Sequence, residues 1–275
     1  MTIRSEVLSL SVPALQAVRW SIDHLYAGMK ETYAIARVES GRLEWRVRGK
    51  VFRSEPGSLL LQQPGDVHRD LSRDGPATFQ LVAFPGATIE DAVGRSSIQP
   101  SLAAHDERGA AFQRLHDAVR AGAERLALEV AVAEAISALA RLGGAEHGHT
   151  PPVRRAMELL RERLTDSVHL DALAAHAGVD KYRLCRAFRT QVGMPPHAYL
   201  TRLRITRAKE LLAAGKRPSE IARQVGFYDQ SQLNRHFRRI VGTTPARYVR
   251  WGDDQRPFPT DASGHFRLVR KSITA

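Results

Sequence analysis

Two segments of the chain combine basic side chains with side chains that hold paired hydrogen-bond donors or acceptors. Residues 181–189 read KYRLCRAFR, and residues 230–239 read QSQLNRHFRR. Such groups on the exposed start of a helix can read base edges in the major groove of DNA. The sequence therefore predicts base contacts by Tyr182, Cys185, Arg186, Gln230, Gln232, Asn234 and Arg235. The alternative for each is a solvated surface side chain.

Other cations near these segments are predicted to contact phosphates, which position a protein on DNA without reading its sequence. They are Lys181, Arg183, Arg189, Arg204, Arg207, Arg238 and Arg239. Two base-contact candidates have second interpretations. Tyr182 can lie on a thymine methyl or reach a phosphate, and Cys185, the single thiol of the chain, can be a redox sensor or a small side chain against DNA.

The elements that must position these residues are two helix-turn-helix units, predicted at about 170–190 and 218–240. In each unit a glycine, Gly178 or Gly226, allows the turn, and an aspartate, Asp180 or Asp229, caps the second helix. The two glycines are 48 residues apart. Between the units, apolar residues at helical spacing predict a central helix from Pro196 to Ala214.

The net charge of the chain is concentrated in this half. The 275 residues carry 41 Lys or Arg and 29 Asp or Glu, a formal net charge of +12. Residues 1–150 contribute −1 (17 cations, 18 anions), and residues 153–251 contribute +12 (20 cations, 8 anions). This asymmetry favours one neutral domain and one domain that binds a polyanion. A basic but merely solvated surface is the alternative.

Residues 153–251 resemble the DNA-binding domain of the AraC/XylS family of bacterial transcription regulators. The shared residues are Leu173-Ala174, Phe188, Gly193-Met194, Tyr199, Arg204, Ala208, Leu211-Leu212, Ile221-Ala222, Gly226-Phe227, Asp229-Gln230-Ser231, Arg235, Phe237, Gly242, Pro245 and Tyr248. The resemblance implies two helix-turn-helix units that enter adjacent major grooves of double-stranded DNA. It implies RNA polymerase as a further partner if the protein is an activator.

The N-terminal half has a different pattern. Short apolar runs at 32–38, 43–47, 58–62 and 78–84 end at turn signals such as Glu39-Ser40-Gly41 and predict an antiparallel barrel or sandwich. From about residue 106 the spacing becomes helical and predicts two amphipathic helices. These cover the barrel or form a homodimer, and the resemblance favours the homodimer.

This half also resembles the cupin-like sensor of the same family. The matching positions are Tyr33-x-Ile35, Gly41, Trp45, Gly49, Pro56-Gly57-Ser58, Leu61 and Pro64-Gly65-Asp66-Val67-His68. A small-molecule effector is expected in the barrel, with Tyr33, Arg37, Trp45 and His68 as candidate contacts. Cupin enzymes hold a metal with a His-x-His pair, and the strands contain none, so no metal, cofactor or catalytic residue is predicted.

The predicted fold class is α+β with two domains: a cupin-like antiparallel β-barrel with two amphipathic helices, then an all-α domain with two helix-turn-helix units. The predicted ranges are 1–142 for the sensor, 143–152 for a linker, 153–251 for the DNA-binding domain and 252–275 for a tail.

With one cysteine, no secretory signal and no run of about 20 apolar residues, the chain is expected in the cytoplasm and not in a membrane. The hypothesis is a transcription regulator that senses a small molecule. A regulator that answers to a partner or to no effector, a non-specific DNA binder and a cupin enzyme with an added DNA-binding domain remain the alternatives.

Overall fold

A computed structural model describes residues 3–84, except 9, 11, 13 and 14, together with residue 89 and residues 97–143 and 149–253. The chain divides into two compact units, residues 1–147 and 148–275. The first is an antiparallel sheet with helices and the second is helical, which confirms the α+β class. Most of the predicted tail, residues 254–275, and the linker residues 144–148 lie outside the described residues.

The first unit contains eight strands within its described residues. They are β1 (Ile3–Leu8), β2 (Gln16–Ile22), β3 (Ala27–Met29), β4 (Tyr33–Val47), β5 (Lys50–Ser54), β6 (Leu59–Gln62), β7 (Val67–Phe84) and β8 (Ser101–Leu102). The strand order is β1-β2-β7-β4-β6-β8, with β3 added on β7 and β5 on β4, and all pairings are antiparallel. The two long strands β4 and β7 therefore form the centre of the sheet.

The predicted turn at Glu39-Ser40-Gly41 is wrong, because β4 runs through it. The pairing of β4 with β7 slips between Val38 and Ser40 and again between Ser40 and Arg42, so the chain forms bulges rather than a turn. A side chain at Gly41 would place its Cβ 2.7 Å from the carbonyl oxygen of Pro76. A glycine that allows close approach of two strands has the same sequence signature as a glycine in a turn.

Two helices pack on this sheet, α1 (Ala110–Arg120) and α2 (Arg125–Leu142). Phe112 and Leu115 of α1 and Leu128 of α2 are fully buried in one cluster with Ile35 and Leu59 of the sheet. The helices thus cover the sheet, which was one of the two uses predicted for their apolar faces.

The second unit contains seven helices among the described residues. They are α3 (Pro151–Glu162), α4 (Leu170–Ala177), α5 (Lys181–Val192), α6 (Pro196–Ala213), α7 (Pro218–Gln224), α8 (Gln230–Val241) and α9 (Pro245–Asp253). Helix α3 begins at Pro151, so the last two residues of the predicted linker are helical. Proline suits this first turn because the N–H that it lacks would have no intrahelical partner.

Helix α6 connects two small cores. Its first turns bury Tyr199 against Phe188 of α5, with the rings 5.7 Å apart, and its later turns bury Ile205 among residues of α7 and α8. The second helix-turn-helix unit has the same edge contact between Phe237 of α8 and Tyr248 of α9, with ring centroids 5.3 Å apart. Phe188 and Phe237 are 49 residues apart, and so are Tyr199 and Tyr248. The helix-turn-helix units are therefore structural repeats.

Candidate nucleic-acid interface

The starts of α5 and α8 are fixed by aspartate caps. The Asp180 carboxylate accepts hydrogen bonds from the backbone N–H groups of Tyr182 (3.0 Å) and Arg183 (2.9 Å). The Asp229 carboxylate accepts one from the N–H of Gln232 (2.7 Å). These bonds satisfy donors that the first helical turn leaves without partners. They confirm the predicted caps.

The two helices present equivalent side chains because they share one buried pattern. Leu184 and Phe188 of α5 are fully buried, and so are the residues 49 positions later, Leu233 and Phe237. The outward positions also match at a separation of 49 residues. The equivalent pairs are Arg186 and Arg235, Arg189 and Arg238, and Cys185 and Asn234. All four arginines are exposed, whereas Cys185 and Asn234 are half-buried beside them.

Tyr182 and Gln230 also lie at the starts of the two helices and face solvent. The Tyr182 side chain is 75% exposed, although an aromatic ring gains free energy by burial. Gln230 is the first residue of α8 and is exposed. Of the seven predicted base contacts, four are therefore exposed at the outer side of α5 and α8, and Cys185 and Asn234 are half-buried beside them.

Gln232 is the exception, because its side chain caps the helix. Its Oε1 accepts a hydrogen bond from the backbone N–H of Tyr228 at 2.8 Å, while Asp229 accepts from its own N–H. The pair resembles a reciprocal capping box, for which the spacing Asp-x-x-Gln is a sequence signal. This geometry favours a structural role for Gln232 over the predicted base contact.

Arg204 is half-buried and bonds backbone carbonyls of the domain. Its Nε donates to the carbonyl of Leu164 and its Nη2 to the carbonyl of Asp166, both at 2.8 Å. The guanidinium also lies over the ring of Phe227, 5.8 Å from the centroid. Partial burial lowers the pKa of Arg204, partly offset by Asp166. Arg204 therefore joins the α3–α4 loop to the second turn, and its placement does not support the predicted phosphate contact.

Three other phosphate candidates have protein partners at the surface. Lys181 Nζ lies 3.0 Å from Asp171, Arg207 lies 2.6 Å from Glu210, and Arg239 Nη2 lies 3.1 Å from His236 Nδ1. The Lys181 and Arg207 ion pairs are exposed, and pairs of this kind contribute little to stability. Arg183, Arg189 and Arg238 are exposed on the same helices.

Cys185 lines an open cleft of about 640 Å³ between α4, α5 and α6. Leu173 and Leu200 form part of its apolar wall, and Arg186 and Arg189 lie at its edge. The thiol is thus half-buried beside the predicted base-reading arginine.

In the first unit, the four predicted effector contacts separate into two groups. Tyr33 is buried in the cluster that the sheet shares with α1 and α2. Arg37 is also buried, and it bonds Asp117 of α1 at 2.5 Å and Gln80 at 3.1 Å. Trp45 and His68 instead stack on each other, with ring centroids 4.5 Å apart and planes 4° apart. Tyr33 and Arg37 therefore hold the helices on the sheet, so the structure does not bring the four together.

The Trp45–His68 stack lies in a polar cluster that the sequence pattern did not reveal. Asp70 accepts from Tyr26 N–H (2.9 Å) and from Arg73 Nε (3.0 Å), and it lies 2.8 Å from His68 Nε2. Burial lowers the pKa of His68 to about 4 despite its bond to Asp70. Burial raises the pKa of Asp70, but the bonds from His68 and Arg73 hold it at about 2.

Lys30 completes this cluster. Its ammonium lies over the ring of Tyr26, 4.4 Å from the centroid. Desolvation lowers its pKa to about 8, although Asp70 and Asp66 attract the charge. A cation and a carboxylate thus lie near His68, on which the Trp45 ring stacks and which the Tyr26 ring meets edge-on, 5.5 Å from its centroid. Since β3 and β7 bring them together through pairing, only the register could have indicated the cluster.

Within the described residues, no group of three or more His, Cys, Asp or Glu side chains is arranged to hold a metal ion. No helix in the described part of the chain is long and apolar enough to cross a membrane.

Comparisons with known proteins match both units. A family model described as an AraC-like ligand-binding domain matches residues 22–139, and one described as a helix-turn-helix domain matches residues 173–250. The HTH-type transcriptional regulator YbfI of Bacillus subtilis, itself uncharacterized, is 30% identical over 215 residues, covering 73% of this chain and 78% of that protein. The arabinose operon regulatory protein of Salmonella typhimurium is 29% identical over 221 residues, covering 73% and 77%. The structure of ToxT from Vibrio cholerae covers 90% of this chain and 98% of its own at 13% identity, with a TM-score of 0.47.

A ligand-binding sheet domain followed by two helix-turn-helix units defines a transcriptional regulator that binds DNA. The chain belongs to the AraC family of these regulators. The family resemblance predicted from the sequence is thereby confirmed.

Proposed function

We propose that this regulator binds a specific double-stranded DNA site through the outer sides of α5 and α8. The observation that carries the proposal is the equivalence of Arg186 and Arg235, exposed at the same position of two helices whose starts are fixed by Asp180 and Asp229. An arginine at such a position can bond the O6 and N7 atoms of guanine together. Tyr182, Cys185, Gln230 and Asn234 are further base contacts in this proposal. Arg183, Arg189 and Arg238 contact phosphates.

The effector is proposed to bind in the sheet domain beside the stacked Trp45 and His68 rings. The two rings are buried and form the apolar part of the proposed site, and Lys30 and Asp70 supply one group of each charge. Binding sites for small molecules combine apolar surface with a few oriented polar groups in this way. Tyr33 and Arg37 are not part of the proposed site, because they contact the helices.

The active form is proposed to be a homodimer that pairs through α2. An exposed stripe runs along this helix with the alternating spacing of four and three residues that coiled coils use. Its members are Leu126, Val130, Ala133, Ser137 and Ala140. Leu126 is 72% and Val130 is 50% exposed, so the first part of the stripe is apolar surface that a second copy would bury. A dimer would double the length of DNA that is read.

We infer that the protein acts in the cytoplasm, where its DNA is, and that RNA polymerase is a partner if the protein activates transcription. The supporting observation is membership of a family of transcriptional regulators. The same membership supports a non-enzymatic role for the sheet domain.

The test is selection of binding sites from a random DNA library, followed by competition against scrambled versions. Specific binding should favour the selected site by a factor of about 10³ or more over scrambled DNA. Equal affinity for both would leave only non-specific binding. The protein carrying both Arg186→Ala and Arg235→Ala is the matched control and should lose the preference while keeping its fold.

The effector proposal is tested by thermal unfolding of the full chain with a library of small molecules. A ligand of the Trp45–His68 site should raise Tm in the wild type but not in Trp45→Leu. Phe112→Leu, which alters the helix-packed cluster, is the control that should keep the ligand response. A response that survives Trp45→Leu would place the effector elsewhere.

A further inference from the structure

The turns of the two helix-turn-helix units differ by one residue. In the first unit the chain passes from Gly178 through Val179 to Asp180, and in the second it passes from Gly226 through two residues to Asp229. The glycines are equivalent, because the N–H of each donates to the carbonyl oxygen three residues earlier. The acceptors are Ala175 for Gly178 and Arg223 for Gly226, both at 3.1 Å. The glycine repeat is therefore 48 residues and the aspartate repeat 49.

The additional residue is Tyr228. Phe227 occupies the position of Val179, since their N–H groups make the equivalent bonds to the carbonyls of Ala222 (2.9 Å) and Ala174 (3.2 Å). The Phe227 ring is buried and stacks on His236, with centroids 5.4 Å apart. No such contact holds the ring that follows it.

Tyr228 is fixed at its backbone and exposed at its ring. Its N–H is bonded by the Gln232 side chain at 2.8 Å. Its side chain is 86% exposed, the largest fraction among the large apolar side chains of the described residues. An aromatic ring that is fixed at its backbone and exposed to water is available to pack against an apolar group of another molecule.

We infer that the Tyr228 ring contacts the C5-methyl group of a thymine at the edge of the site read by α8. This inference rests on the proposed function, which brings the start of α8 to the major groove. The carboxylate of Asp229 lies next in the chain and disfavours a phosphate at this place. The thymine methyl is the apolar group that the major groove offers to an apolar side chain.

The two units therefore read DNA differently in spite of their common architecture. The first has its exposed tyrosine, Tyr182, at the second position of α5, and the equivalent residue of α8 is Ser231. The second has Tyr228 one residue before the cap of α8. The two rings meet different base pairs relative to their arginines, Arg186 and Arg235.

The experiment replaces thymine by deoxyuridine, one position at a time, in the selected DNA site, because this change removes only the methyl group. In the wild type, one replacement outside the Arg235 contact should weaken binding about 4-fold, the factor expected for one buried methyl. With Tyr228→Ala the same replacement should change binding less than 1.5-fold. Tyr228→Phe should retain the 4-fold effect, and so should Tyr182→Ala.

Three results would overturn the inference. They are a wild type that tolerates uracil at every thymine, a Tyr228→Ala variant with the wild-type dependence on the methyl group, and loss of that dependence in Tyr228→Phe. The last would assign the hydroxyl to a phosphate instead. A wild type that selects no sequence at all would be a failure of the proposed function, which the selection experiment detects before any uracil is introduced.

Discussion

Arg204 closes directly over Gly226, so that a Cβ built on this glycine would lie 2.8 Å from Arg204 Nε and 2.9 Å from Cζ. Gly226 has a φ of +86°, which other residues rarely adopt. Arg204 can therefore bond the carbonyls of the α3–α4 loop only because Gly226 has no side chain. The stability of the turn at Gly226 is thus coupled to the placement of Arg204.

Gly226→Ala is expected to destabilise the second helix-turn-helix unit more than a glycine substitution that causes only backbone strain. The matched control is Gly215→Ala, since Gly215 has a φ of +83° and nothing within 4 Å of its Cβ position. Strain should cost about 1–2 kcal/mol at Gly215. Displacement of Arg204 from its carbonyls should add at least about 1.5 kcal/mol at Gly226. Urea unfolding measures both, and equal losses would show that Arg204 moves without cost.

Arg186→Ala and Arg235→Ala should each lose about 1–3 kcal/mol of binding free energy at one base position of the selected site. The reason is loss of a paired contact to one guanine. The controls Arg189→Ala and Arg238→Ala should weaken binding alike on all sequences and lower the salt slope by about 0.9 each. Binding to a set of single-base variants at several salt concentrations separates the two patterns. Uniform weakening by Arg186→Ala would assign it to phosphate.

Below pH 6.5 the sheet domain should lose stability because of His116. This residue is fully buried in α1, both of its ring nitrogens lack a hydrogen-bond partner, and burial, with Arg37 nearby, lowers its pKa to about 3. Between pH 6.5 and 3 the unfolded chain binds a proton that the folded chain does not, so His116 contributes a loss approaching about 1.4 kcal/mol per pH unit. His68 acts in the same direction down to about pH 4.

The check is urea unfolding of wild type and His116→Leu at several values between pH 7.5 and 5. The leucine variant should be no less stable at pH 7.5, since it removes two unpaired polar atoms, and should show a shallower decline. His105→Leu, on the same domain, is the control substitution. An unchanged pH slope in His116→Leu would mean that His116 takes up its proton over the same pH range in the folded and the unfolded chain.

Leu126→Asp or Val130→Asp should convert the proposed dimer to a monomer. Each substitution places a charge in the apolar stripe of α2, where a second copy would bury it without a partner. Sedimentation velocity of the full chain measures the mass. Val51→Asp is the matched control, because Val51 is 46% exposed on β5, outside the stripe. A wild type that is monomeric at micromolar concentration would contradict the proposal.

The helix-turn-helix units could be predicted from the chain because their determinants are local. Apolar residues at helical spacing set the buried face, and Gly and Asp at fixed offsets set the turn and the cap, as at Gly178 and Asp180. The role of Gln232 was also encoded locally, in the spacing Asp-x-x-Gln, but its polar side chain was predicted to read bases. Composition near a recognition helix does not distinguish a cap from a contact.

The sheet domain was harder to predict because its determinants lie far apart in sequence. A bulge at Gly41 and a turn have the same local pattern, and the two differ only in what the neighbouring strand does. Tyr33 and Arg37 were grouped with Trp45 and His68 by residue type. The pairing of β4 with β7 and the packing of α1 decide which of them face the helices.

The sequence by itself determined the two-domain class, the family, the repeated unit and the positions of the exposed arginines, since periodicity and short spacing fix which side of a helix is buried. The tertiary structure alone decided that Arg204 bonds the α3–α4 loop, that the Tyr228 side chain is exposed at the second turn and that Lys30, Asp70 and Arg73 lie near His68. Arg204 bonds Leu164 across a loop, 40 residues away, and Asp70 meets Tyr26 through strand pairing, 44 residues away. Spacing along one element carries no information about partners on another element.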